Sequence, residues 1–187
     1  MKHQEIVITA FVILCLAQAA VPLSMIGRRE YTLRHGRVYR FRTAPVDPYD
    51  AFRGRYVALR MQQRTLALER PEKFTRHQEV FVRLKEDEQG YALIDSVSAD
   101  RPAEEPYIKA RVHYQSRTNL HIRWPFDRYY MNEADAPEAE RVYREHSRRG
   151  KQEAHINVRV SSGFAVLEEL YIADKPILEF MAGAGQE

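Results

Sequence analysis

The sequence predicts a mainly β protein, with an N-terminal transmembrane helix followed by an antiparallel β-barrel or sandwich-like domain carrying one amphipathic helix. Three observations lead there. The run Ile6 to Ile26 holds 21 residues without a charge. Short segments with period-two alternation fill most of the chain beyond that run. One stretch, "DAPEAERVYREHSRRG", switches to the period of an amphipathic helix.

Residues 1–5 form a short tail and 6–26 the predicted anchor. At a rise of 1.5 Å per residue, such a helix crosses a hydrocarbon core of about 30 Å. The competing reading is a cleaved signal peptide, because Lys2 precedes an apolar run containing the small-x-small pattern Ala17-Gln18-Ala19. The apolar stretch continues past Ala19 to spanning length, which favours an uncleaved signal-anchor. Orientation draws two opposed expectations. Arg28, Arg29, Arg34, Arg37 and Arg40 come just after the anchor, which by the positive-inside rule keeps the domain cytoplasmic. A single short N-terminal anchor, in contrast, often exports the domain behind it.

Residues 27–187 form one β-rich unit, long enough to bury a core. Ile108, Ala110, Val112 and Tyr114 alternate with Lys109, Arg111 and His113. Leu120, Ile122 and Trp124 alternate with His121 and Arg123, and Ile156, Val158 and Val160 with His155, Asn157 and Arg159. These are the signatures of half-buried antiparallel strands. Weaker candidates are 37–42, 79–85, 91–97, 164–172 and 176–180, giving eight or nine strands, the number of a barrel or sandwich. The helix is expected over about 137–149, with Asp135 as N-cap, Pro137 in the first turn and Ala139, Val142, Tyr143 and His146 on one face. Arg148 and Arg149 precede Gly150 at its end.

Charge is unevenly spread. Arg28 to Arg64 holds ten arginines against Glu30, Asp47 and Asp50, whereas Thr65 to Glu187 holds 18 basic against 22 acidic residues. Basic residues beside an anchor suit an anionic lipid surface, each contributing about 1 kcal/mol. No nucleic-acid motif accompanies them. The only cysteine, Cys15, lies in the apolar run, which leaves the domain no disulfide and no thiol nucleophile.

Several stretches could carry chemistry. His113, His121 and His155 fall on polar positions of three strands; without Cys or HxH spacing they read as surface histidines rather than metal ligands. Ser24-Met25, with a later "GRYVALR" strand, superficially resembles the Ser-Lys arrangement of type I signal peptidases. The residue in the base position is Arg60, which stays protonated and cannot accept a proton. Asp47 and Asp50 flank Pro48, and paired acids can do acid–base work with a histidine, although Asp before Pro is the usual composition of a turn. Gly54 marks a loop-to-strand transition. In "FDRYYMNEAD", Arg128, Tyr129 and Tyr130 are of the types that dominate recognition surfaces, or they form a strand end with its hydroxyls in water.

An apolar N-terminal segment, "MIGRREYTLRHGRVYRFRTAPVDPYDAFRGRYVALRM", "FDRYYMNEAD" and "VLEELYI" occur in that order. Together they resemble the GDYXXLXY-domain family, bacterial membrane-anchored proteins of uncharacterised function. In the namesake motif, Gly54, Tyr56 and Leu59 match, while Arg55 replaces Asp and Met61 replaces Tyr. Arg55 reverses the charge where an acid would argue for chemistry. Val57, Leu59 and Met61 share one face of the strand and Tyr56 and Ala58 the other. The resemblance implies a single-pass protein of the bacterial inner membrane with an extracytoplasmic domain, and a multipass membrane protein as partner. The residues, which form no catalytic constellation, lead to the expectation of a non-catalytic binding or accessory role. They also lead to the expectation of lipid contact through the anchor and of no cofactor, metal, nucleic acid or small-molecule substrate. The residues singled out for docking are Asp47, Asp50, Gly54, Arg55, Tyr56, Leu59, Arg128, Tyr129 and Tyr130. The alternatives are a hydrolase built on Asp47 and Asp50 with a histidine, and a module that binds anionic lipid.

Overall fold

Helix α1 (Lys2–His35) does not stop where the apolar run stops. In the computed structural model, which describes residues 2–44, 56–68, 73–104, 106–148 and 153–184, it continues nine residues past Ile26. The extension is polar, held by an i,i+4 pair between Glu30 and Arg34 at 2.7 Å. The apolar part is fully exposed and long enough to cross a bilayer. The extension packs on the domain: Thr32 is 1% exposed, and Gly36 closes the helix by donating its N–H to the Thr32 carbonyl at 2.8 Å.

The chain then runs as β1 (Arg37–Ala44), β2 (Tyr56–Ala58), β3 (Arg60–Met61), β4 (Thr65–Ala67), β5 (Glu79–Glu86), β6 (Ala92–Ser98), β7 (Tyr107–Ser116), β8 (Asn119–Arg123) and β9 (Arg128–Tyr130). After helix α2 (Ala136–His146) come β10 (Ala154–Ser161), β11 (Phe164–Ile172), β12 (Lys175–Pro176) and helix α3 (Ile177–Ala184). One antiparallel sheet has the order β12-β11-β10-β1-β3, a second β4-β8-β7-β5-β6, and β2 pairs with β9 as a separate ribbon. Parallel bridges from Arg40 to Tyr91 and from Ile108 to Gly163 draw the two larger sheets together into a nearly closed barrel-like wall. The predicted fold class is the one observed. Core-facing side chains of both sheets and of α2 meet in one cluster that includes Ile108, Leu120, Ile156, Leu170, Val57 and Tyr143.

β-Bulges in β6, at Asp95, and in β7 and β11 break the simple alternation, and the last two decide which side chains face the core. Val112 pairs with Ile122 but Tyr114 with His121, so His113 is an extra residue in β7. The bulge turns Tyr114, expected inward, out to 45% exposure. In β11 the register shifts opposite Asn157 and Val158, which makes Glu168 the extra residue and moves the inward side from Leu167 to Leu170 and Ile172. The hairpin into β11 turns on Ser162 and Gly163, both at positive φ, as a two-residue turn requires.

The segment 176–180, expected as a strand, is mostly helix: Pro176 ends β12 and precedes α3. A short apolar run such as "ILEFM" fits either period. Helix α2 is shorter than the expected 137–149, ending at His146 with the Ser147 N–H bonded to the Tyr143 carbonyl at 2.9 Å. Asp135 is not a side-chain cap. Its backbone is already helical and its N–H bonds to the Asn132 carbonyl at 3.2 Å.

Candidate functional site

The two stretches singled out in the sequence lie side by side. Tyr56 pairs with Tyr130, Val57 with Tyr129 and Ala58 with Arg128. The alternation read in the motif strand holds: Val57, Leu59 and Met61 are buried, and the Leu59 N–H bonds to the Asp127 carbonyl at 2.9 Å. Leu59 is therefore a packing residue. Asp47, Asp50, Gly54 and Arg55 lie outside the described residues.

The outer face of the ribbon is aromatic and cationic. The rings of Tyr56 and Tyr130 meet edge to face at 5.7 Å, and the Arg128 guanidinium lies 4.9 Å from the centre of the Tyr56 ring. Its hydrogen bond to Tyr130, with Tyr56 and Asp127 nearby, holds Arg128 above the ordinary arginine value. Tyr130 is 66% exposed. Tyr129 turns the other way and donates its hydroxyl to Glu169 Oε1 at 2.5 Å. Burial first, and then this carboxylate, push the Tyr129 phenol well above its usual range. The ribbon is thus braced on one side by β11 and presents Tyr56, Arg128 and Tyr130 on the other.

A cavity of about 580 Å³ adjoins it, between the ribbon, the β10–β11 turn and the basic end of α1. Arg28, Arg29, Lys109, Arg128, Tyr130 and Phe164 line that space. Arg28 lies over the Phe164 ring at 4.5 Å, while Lys109 pairs with Glu79 at 3.2 Å. The lining carboxylate Glu168 is held by Arg159 at 2.8 Å. The arrangement can stack on planar groups and donate hydrogen bonds to anions. Lys109 and Phe164 escape a sequence reading because only the bridge from Ile108 to Gly163 brings them here.

The histidines divide. His113 and His121 converge across β7 and β8, flanking Tyr114 with ring centres 5.2 and 4.0 Å away. Among the described residues no cluster of three or more His, Cys, Asp or Glu could hold a metal. His155, expected at the surface, is 4% exposed. The alternation assigns its face correctly, but Tyr91 covers that face, with the ring centres 5.8 Å apart. Tyr171 stacks on it at 5.0 Å, and Arg40 Nη2 donates to Nε2 at 3.2 Å, so the imidazole is neutral. Burial, then Arg40, lower its pKa to about 4.

Fold and site together define a class of protein: a barrel-like antiparallel β-domain behind an apolar helix, with an aromatic–arginine ribbon beside the helix's basic end. Within that class the chain belongs to the GDYXXLXY protein family, whose model matches residues 18–170. The match takes in the second half of α1, the ribbon and most of β11. No curated protein and no solved structure matches the chain.

Proposed function

We propose that this chain is a single-pass, membrane-anchored binding domain, without catalysis of its own, that acts beside another bacterial membrane protein. The observation that supports this most is the shared cavity: the ribbon residues Arg128 and Tyr130 and the helix residues Arg28 and Arg29 line the same space. If α1 is the anchor, its charged extension lies at the level of the headgroups, and the ribbon faces a neighbour in the same membrane. Exposed tyrosine next to arginine is the composition of binding hot spots. In this reading the domain lies on the extracytoplasmic side of the inner membrane. Protease treatment of spheroplasts tests the placement: the domain should be cut while the membrane is intact. Copurification in mild detergent tests the partner. A stoichiometric membrane protein should accompany the wild type and be lost from the Arg128→Ala, Tyr130→Ala double variant.

A second reading has its own support. Arg28, Arg29 and Arg128 with Phe164 and Tyr130 also suit an anionic lipid headgroup. Native mass spectrometry separates the two. On the lipid reading, anionic lipid stays bound to the wild type and leaves the Arg28→Gln, Arg29→Gln variant.

A further inference from the structure

A separate cavity of about 480 Å³ opens between β3, β8 and the bulge of β7. Its volume falls in the range of small-molecule sites, about 300–1,000 Å³. The floor is core: Met61, Ile122, Trp124 and Phe126 are buried, with the last two rings stacked at 5.5 Å. The rim is basic, formed by Arg60, Arg64 and Arg123 with His113 and His121.

The charges of that rim are poorly balanced. Asp127 is the one lining carboxylate among the described residues, and it is shared by Arg123 at 3.6 Å and Arg128 at 3.7 Å. Arg60 and Arg64 have no carboxylate partner among the described residues. Both are exposed at the rim, and partial desolvation, then the neighbouring Arg60, lower the pKa of Arg64. Two guanidiniums on one rim with no carboxylate between them attract an anion. Guanidinium forks match oxyanions of planar or tetrahedral geometry, and three of them with two imidazoles suit a dianion better than a single carboxylate. His121 is oriented by Thr65, whose hydroxyl lies 3.0 Å from Nδ1, and the bulge aims His113 and Tyr114 at the same mouth. The aromatic floor leaves room for an organic body below the anion.

We propose that this cavity binds the phosphate group of a small phosphate monoester, with Arg60, Arg64 and Arg123 holding the oxyanion and Trp124 and Phe126 receiving its organic part. The site borders the ribbon, with Phe126 lining both cavities and Asp127 reaching Arg128. Arg60, Arg64 and Arg123 line this cavity and not the one beside the ribbon, so their variants test it independently of the proposed partner. The chain's single tryptophan, Trp124, lies in the cavity wall and supplies a direct reporter. Full-length protein in a neutral detergent is titrated with phenyl phosphate, inorganic phosphate and phenol at constant ionic strength, following tryptophan fluorescence. The expected result is a saturable change with phenyl phosphate, a weaker response to inorganic phosphate and none to phenol. Arg60→Gln and Arg64→Gln should each weaken binding about 10- to 100-fold, the loss of a charged hydrogen bond. Circular dichroism and thermal melting identify a variant that fails to fold, and Arg148→Gln, which removes an exposed arginine outside the cavity, should bind as the wild type does. A flat titration overturns the proposal, as does equal binding by phenol or unchanged binding in both folded arginine variants. A response confined to nanodiscs containing phosphatidate also overturns it, because the phosphate would then be a lipid's.

Discussion

Replacing His155 by glutamine should flatten the dependence of stability on pH between neutrality and mild acid. In the folded protein the imidazole is enclosed by Tyr91 and Tyr171 and accepts a hydrogen bond from Arg40, which itself pairs with Asp174 at 2.7 Å. Protonation would break that bond and set two cations against each other. The folded-state pKa is about 4 against an ordinary 6.5, so the unfolded chain takes up a proton first on acidification. Stability from this group is therefore complete above about pH 6.5 and is lost as the pH falls toward 4. At about 1.4 kcal/mol per pH unit, the full loss is about 3 kcal/mol, with about 2 kcal/mol gone by pH 4.5. Denaturant unfolding of the full chain in neutral detergent, followed by Trp124 fluorescence, measures it. Glutamine keeps an acceptor for Arg40 and cannot titrate, while Asp174 and every other acid remain in both proteins. The wild type should lose about 2 kcal/mol more than His155→Gln between pH 7 and 4.5. Parallel curves, or an imidazole NMR titration of His155 near 6.5, would refute the reasoning.

The packing sets three further outcomes. A Cβ at Gly36 would lie 2.5 Å from the Thr32 carbonyl oxygen and 3.1 Å from the Val160 nitrogen, both backbone, so Gly36→Ala should destabilise by about 1–3 kcal/mol. Gly27→Ala, inside α1 with nothing within 4 Å of the new methyl, is the matched control and should be neutral or stabilising by up to about 1 kcal/mol in the same unfolding assay. Gly163→Ala should cost a comparable amount, because its φ is +77° and the new methyl would meet the buried Tyr107 ring at 2.5 Å. Tyr129→Phe should lower stability by about 1 kcal/mol by removing the donor to Glu169, and should leave the far-ultraviolet spectrum unchanged.

The legible parts of this fold are those written in local period. Alternation locates β7, β8 and β10, and the spacing of Ala139, Val142 and Tyr143 locates α2. The bulges at His113 and Glu168 are not legible, because an inserted residue shifts the register without a compositional mark. For the same reason alternation alone puts Tyr114 inward and makes "FAVLEELYI" look weak as a strand. His155 shows the limit of the alternation argument: it identifies the face of a sheet but not whether another hairpin covers that face. The candidate site is half legible. Tyr56 and Arg128 to Tyr130 are recognisable as residue types, but their pairing joins segments some seventy residues apart in the chain, and no local signal encodes it. In the sequence Arg60 is visible only as a failed base, and its place beside Arg64 and Arg123 on one cavity rim depends on how the chain around β3 meets β8.

The proposed role rests on the ribbon meeting a neighbouring membrane protein, and a photo-crosslinking amino acid in place of Tyr130 tests it most directly. The control carries the same group in place of Thr118, an exposed residue in the β7–β8 turn, at the end of β7 away from Gly163. Irradiation of intact cells should give one discrete membrane-protein adduct from position 130 and none from position 118. No adduct at 130, or the same adducts from both positions, would contradict the account.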